Sequence, residues 1–322
     1  MNSALRPMST GEVLDRTFYL YRNNFVLFAG ISMVAYLLAL VVSLAMLGIF
    51  GPETVQGRTF AVNPVTFLMI NGVNMVTYLI VHSLASGATV HAVSLVHLGR
   101  AGSISQSYSG IKPIFFRILR IVISVLIRAG GPFVIAYALF LLAVTSVGRS
   151  RNAPSMMIML ALAMVVLLVA LIVGLVWMVR VFCRYAFAVP ACALEGVSAR
   201  DALKRSKFLT KGSLSRLFLV GLLTGLIGFA LTNVFQLPIF IANHTWITGR
   251  AYFSVLSLAA IHFADFAAKT LAGPIATIAI ALLYYDERIK KEAFDLQWMM
   301  QSLDPSAGQA ITATSSGAGV AM

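Results

Sequence analysis

Three arginines, Arg117, Arg120 and Arg128, fall with Ser124 on one helical stripe, within about 80° at 100° per residue. Guanidinium groups on one face suit the phosphate of an anionic lipid head group. The competing reading is snorkelling from an interfacial helix, with Gly130-Gly131-Pro132 as the bend into the next span. A second constellation is His262, Asp265 and Lys269, at i, i+3 and i+7 of one apolar helix. Asp265 and Lys269 can pair at i,i+4, and ionisable groups inside a membrane mark substrate paths or proton relays. The alternative is an outer-interface helix whose polar face meets water and which bends at Gly273-Pro274. Ser109-Gly-Ile-Lys112 fits a Ser-x-x-Lys pattern, a match that chance supplies in a chain of this length. Zinc-type His/Cys spacing, phosphate and dinucleotide loops and a nucleophile elbow are absent. No catalytic residue, metal or cofactor is expected.

The elements that hold these groups follow from composition. Of 322 residues, 11% are charged and 59% are hydrophobic. Soluble domains carry about 25% charge, so this chain has too little to cover a water-facing surface. Disorder would need low hydrophobicity, and two cysteines, Cys183 and Cys192, exclude a disulfide scaffold. What remains is an all-α polytopic membrane protein, since backbone in hydrocarbon must satisfy its own hydrogen bonds.

A span needs about 20 apolar residues. Uncharged stretches of 30, 41, 20, 28 and 33 residues follow Arg22, Arg58, Arg128, Arg151 and Arg216, and a sixth region, 251–285, is broken only by Asp265 and Lys269. The spans are expected at 25–50, 65–88, 129–148, 155–179, 217–241 and 262–285, with the second stretch leaving the bilayer beyond Gly87. No signal peptide is expected. Eighteen of the 24 Lys and Arg fall on one side of this topology and four on the other, which places both termini in the cytoplasm. The net charge of +13 is then mostly a property of the cytoplasmic face and suits anionic lipid, while nucleic acid fits poorly without a soluble basic domain. The cysteines are expected as free thiols.

Ser9-Thr-Gly-Glu12, Ser103-Ile-Ser-Gln106 and Ser198-Ala-Arg-Asp201 each place a capping serine three residues before an acid or amide. The serines are 94 and 95 residues apart. Even spacing suggests three copies of one unit, an interfacial helix followed by a transmembrane hairpin. In the third, Arg200, Lys204, Lys207 and Lys211 share an arc apart from Ala199, Ala202, Leu203 and Leu209, as in a helix lying in the head-group layer. Asp201 is expected to pair with Arg205, and Gly212 to stop the helix. Gly221-Leu-Leu-Thr-Gly225 is a GxxxG, expected to pack within the bundle. Trp246, Tyr252, Tyr284 and Tyr285 read as interfacial anchors, Asn243-His-Thr245 as an outer-loop sequon.

The opening Leu5-Arg6-Pro7-Met8-Ser9-Thr10-Gly11-Glu12-Val13-Leu14-Asp15, with Tyr21-Arg22-Asn23-Asn24-Phe25, resembles the glycerophosphoryl diester phosphodiesterase membrane-domain family. So do Pro190-Ala-Cys-Ala-Leu-Glu195 with Ala202-Leu-Lys-Arg-Ser206, and Leu283-Tyr-Tyr-Asp286-Glu-Arg288-Ile-Lys-Lys-Glu292-Ala-Phe-Asp295. The resemblance spans residues 4–297 and implies a bacterial inner-membrane domain without the soluble phosphodiesterase barrel that some relatives carry. It transfers no catalytic residue. The expected organisation is an N-terminal amphipathic segment, 1–24, a six-span domain, 25–285, a helical extension, 286–301, and a disordered tail, 302–322. The expected function is non-enzymatic engagement of anionic phospholipid, or of a protein partner, at the cytoplasmic face. The runner-up is a transporter for a small or lipidic substrate, whose path would have to join Asp265 and Lys269 to Arg128.

Overall fold

Long runs without charge leave the backbone only itself to bond to, and in a computed structural model of the chain their described residues are almost entirely helical. The structure describes residues 8–56, 64–97, 99–147, 153–242 and 255–292. The sequon, Trp246, Tyr252 and the 302–322 tail lie outside them. The helices are α1 (Thr10–Asn23), α2 (Phe25–Gln56), α3 (Pro64–His97), α4 (Ile104–Ile111), α5 (Phe115–Val147), α6 (Ala153–Tyr185), α7 (Ala188–Glu195), α8 (Ala199–Leu209), α9 (Leu214–Ala242) and α10 (Val255–Glu292). Six of them, α2, α3, α5, α6, α9 and α10, are long and apolar enough to cross a membrane.

The three-unit arrangement is visible in the helix order: α1, α4 and α8 are short, and each precedes two long helices. Each starts on its expected cap. Ser9, Ser103 and Ser198 accept from the backbone N–H of Glu12, Gln106 and Asp201 at 3.2, 3.1 and 3.3 Å. Only the first closes the full box, with the Ser9 N–H donating to Glu12 Oε2 at 2.6 Å. Gly212 has φ +90°, the left-handed conformation that ends a helix without a Cβ penalty.

Helix α10 packs against α1, α2, α3 and α9, while α5 and α6 pair with each other and touch the rest through α3, α7, α8 and α9. Alternating helix directions gather the basic residues at one end. The main core is there too, built by Val13 and Leu20 of α1, Phe28 and Ile31 of α2, Ile118 and Ile121 of α5, Ala202 and Leu209 of α8, and Ile278 to Tyr284 of α10. The short helices therefore bury their apolar faces against protein. In 199–211, Ala199, Ala202 and Leu209 are buried in the core, and Arg200, Lys204, Lys207 and Lys211 face out, the two arcs that the sequence pattern separates.

Helix α3 runs unbroken through Gly87 to His97. Glycine is needed there for close approach, because a Cβ would lie 2.8 Å from Ile118 Cδ1. Helix α5 likewise continues through Gly130-Gly131-Pro132, from Phe115 to Val147. Pro132 supplies no N–H to the Arg128 carbonyl one turn back, and Trp177 Nε1 donates to that oxygen instead, at 2.9 Å.

Candidate functional site

The Trp177 bond fixes the level of Arg128. It lies beside the last turns of α6, where Arg180 and Arg184 follow Trp177 on the same face. Arg128 is thus not alone at membrane depth but one of a group at the basic end. The Arg128 guanidinium sits over the Tyr185 ring, 5.5 Å from its centroid, and Lys207 Nζ of α8 approaches the same ring at 5.5 Å. Cation–π contact holds both charges in place without neutralising either. Arg128, Trp177, Arg180, Val181, Arg184 and Tyr185 line a cleft of about 150 Å³. Arg128 also donates to the Ser124 carbonyl at 2.9 Å. Among the described residues no carboxylate forms an ion pair with Arg128, Arg180, Arg184 or Lys207. An uncompensated cluster with one aromatic floor and one tryptophan rim can receive a phosphate.

The structure thus brings together Arg128 and Lys207 from the expected basic set and leaves the others elsewhere. Arg117 is spent on the turn before α8, donating to the Gly196 carbonyl at 2.8 Å. Arg120, Arg200 and Lys211 are exposed and do not line the cleft. Lys204 pairs with Asp201 at 3.5 Å, in place of the expected Arg205. The Ser198 hydroxyl, and then Lys204, hold the Asp201 carboxyl below its usual range. Arg180, Arg184, Trp177 and Tyr185 escaped the sequence reading. Their signal was the spacing Trp177, Arg180, Arg184, which repeats every three to four residues at a helix end. The Ser109 hydroxyl donates to the Gln106 carbonyl at 3.0 Å, an ordinary helix contact.

Arg205 serves a different cluster. It donates through Nε to Glu195 of α7 at 3.0 Å and pairs with Glu292 at the end of α10. Burial alone would lower its pKa, but the carboxylates of Glu292 and Glu195 outweigh burial and push it up. Nearby, Asp286 is fully buried and accepts from Lys290 Nζ at 2.7 Å, from the Met8 N–H at 2.6 Å, and from Arg216. Arg216 continues to the Met8 carbonyl at 2.7 Å. Tyr284 and Tyr285 are buried rather than interfacial: Tyr284 donates to Glu195, and Tyr285 stacks on His97 at 5.0 Å. The charged motif at the end of α10 is a clasp joining all three units at the basic end.

His262, Asp265 and Lys269 do share one face and line a cavity of about 410 Å³ between α2, α3 and α10. Lys269 Nζ bonds Asp265 Oδ2 at 2.7 Å and lies 5.3 Å from the Tyr78 ring centroid. Tyr36, Ser43, Asn71, Asn74, Thr77 and Tyr78 complete its polar lining, none of them flagged by sequence because they are uncharged residues scattered through apolar runs. This cavity and the basic cleft share no lining residue, and neither α5 nor α6 contributes to the cavity. Among the described residues, then, the cavity of Asp265 and Lys269 and the cleft of Arg128 are separate.

Six apolar spanning helices around a charged clasp define a polytopic α-helical membrane protein. Residues 154–302 match the family model of the membrane domain of glycerophosphoryl diester phosphodiesterase, a stretch that takes in α6 to α10 and two of the three sequence blocks carrying the resemblance. The block at 5–25 lies outside the matched range. Only the membrane domain of that family is matched. Neither the curated proteins nor the solved structures yield a match. Among the described residues no three His, Cys, Asp or Glu come together as a metal site, and both cysteines are free.

Proposed function

We propose that the protein is a non-enzymatic membrane domain that holds an anionic phospholipid head group at its basic end, and that this end faces the cytosol of a bacterial inner membrane. The positive-inside rule supports the orientation. The observation that carries the lipid reading is the cluster of Arg128, Arg180, Arg184 and Lys207 around Tyr185, four cations without a carboxylate partner among the described residues. Of the other described cations of the basic end, Arg205, Arg216, Arg288, Lys290 and Lys291 meet clasp acids, and Arg22, Arg120, Arg200 and Lys211 are exposed. This group is focused, and Trp177 sits where tryptophans meet head groups. A protein partner at the same face is the second reading, and would leave lipid binding insensitive to the cleft.

Native mass spectrometry of the detergent-solubilised protein, titrated with phosphatidylglycerol and phosphatidylcholine, tests the reading. The triple substitution Arg128→Gln, Arg180→Gln, Arg184→Gln should weaken phosphatidylglycerol retention about tenfold, as loss of charge-assisted hydrogen bonds implies. Equal retention by variant and wild type would overturn it.

A further inference from the structure

The second cavity has the wrong chemistry for an anion, and that difference is informative. Its charged pair is half spent. Lys269 gives one of three ammonium donors to Asp265 Oδ2, and the Asp265–Lys269 pair keeps 37% and 38% of its side-chain surface open. The remaining acceptor, Asp265 Oδ1, and the remaining Lys269 donors are of opposite sign and flank the 2.7 Å contact. Across the cavity, Asn74 accepts from Ser43 at 3.3 Å and keeps its amide donors, and Asn71 donates to the Phe67 carbonyl at 2.8 Å and keeps its carbonyl oxygen. Tyr36 and Tyr78 also line it, the Tyr78 ring stacked on His82 and lying under the Lys269 ammonium. The pair opens onto a space of about 410 Å³ whose lining both donates and accepts.

Position identifies the source of a ligand. Helices α2 and α3 have 32 and 34 residues. At about 1.5 Å per residue they are about 50 Å long against about 30 Å of hydrocarbon, leaving roughly 10 Å beyond each boundary if shared equally. Asn71 and Asn74 lie about 10–15 Å from the α3 start at Pro64, so the cavity mouth is within a few ångström of the head-group layer opposite the basic end. Exposed Val65, Leu68 and Met69 of α3 mark the apolar surface just above it.

We propose that this cavity binds a zwitterionic phospholipid head group from the leaflet opposite the basic end, its ammonium on Asp265 and its phosphate on Lys269 and Asn74. This site is independent of the basic cleft. The probe is dioleoyl phosphatidylethanolamine, titrated into the detergent-solubilised full chain and read by native mass spectrometry, with phosphatidylglycerol as comparison. The charge swap Asp265→Lys, Lys269→Asp keeps a pair at i,i+4 but reverses its polarity. It should retain the wild-type melting midpoint and lose phosphatidylethanolamine affinity at least about tenfold. Asn71→Trp, which fills the mouth and leaves both charges alone, should do the same and carries the test if the swap does not fold. The Arg128, Arg180, Arg184 triple variant should keep phosphatidylethanolamine binding whether or not its anionic lipid is lost. Unchanged phosphatidylethanolamine binding in Asn71→Trp, or in a folded swap, overturns the proposal. Competition by free phosphoethanolamine at the lipid's own concentration overturns the assignment to a membrane lipid.

Discussion

Arg205 Nε lies 3.0 Å from Glu195 Oε2, although the two residues belong to different short helices and sit on either side of the tight α7–α8 turn. The same guanidinium reaches Glu292, so one side chain ties α7, α8 and the last turn of α10. Both partners are largely sequestered, with side-chain exposures of 16% and 22%. Removing one member of such a cluster leaves carboxylates that water does not repay. Arg205→Ala should cost about 2–3 kcal/mol, below the top of the range because Arg288 remains within reach of both acids. Arg205→Lys should recover only part, since a compact ammonium lacks the planar guanidinium fork that meets Glu195 through Nε and Nη2 while reaching Glu292. Thermal melts in detergent measure both, and an unshifted midpoint for Arg205→Ala would contradict the clasp.

The clasp also shows what could be read from the chain alone. Helix number, direction and the three serine caps follow from local rules: charge-free length, and a serine three residues before an acid or amide. The partners of the charged residues do not. Asp201 and Arg205 have the right spacing to pair, yet Arg205 turns to Glu195 and Glu292 because α8 packs with its Arg205 side against α7 and α10. Tyr284 and Tyr285 have the composition of interfacial anchors and are buried because α1, α3 and α7 close over that end of α10. The candidate sites divide in the same way. His262, Asp265 and Lys269 lie on one helix, so periodicity placed them on one face. Arg128 and Lys207 come from helices 79 residues apart in sequence, and nothing local announces that both lie over Tyr185.

The repeat makes a graded prediction at its caps. A serine cap is worth about 1 kcal/mol. Ser9→Ala should cost most of the three, because it alone closes both halves of the box. Ser103→Ala and Ser198→Ala should each cost about 0.5–1 kcal/mol. Asp201 adds a pH signature. Its carboxyl titrates below its unfolded value, so its stabilisation is present above the ordinary carboxylate range and fades as pH falls through the lowered folded value. Replacing Ser198, the largest cause of that lowering, should flatten the acid limb of the melting profile. Melting midpoints of the three alanine variants against pH check the order, and equal losses at all three sites would refute it.

Glycines separate packed faces from free ones. A methyl at Gly87 would stand 2.8 Å from Ile118 Cδ1, and Ile118 is fully buried, so it has nowhere to move. Gly87→Ala should therefore destabilise by about 1–3 kcal/mol through overpacking, despite the better helix propensity of alanine. The GxxxG of α9 behaves otherwise. Gly221 and Gly225 would meet nothing within 4 Å and both are exposed, so the motif does not pack inside the bundle as expected from sequence. Gly221→Ala should be neutral or stabilising by up to about 1 kcal/mol. The contrast is read from detergent melts of the two variants side by side. A loss at Gly221 matching that at Gly87 would mean that another surface occupies the α9 face, and size-exclusion chromatography with light scattering would then show the variant smaller than wild type.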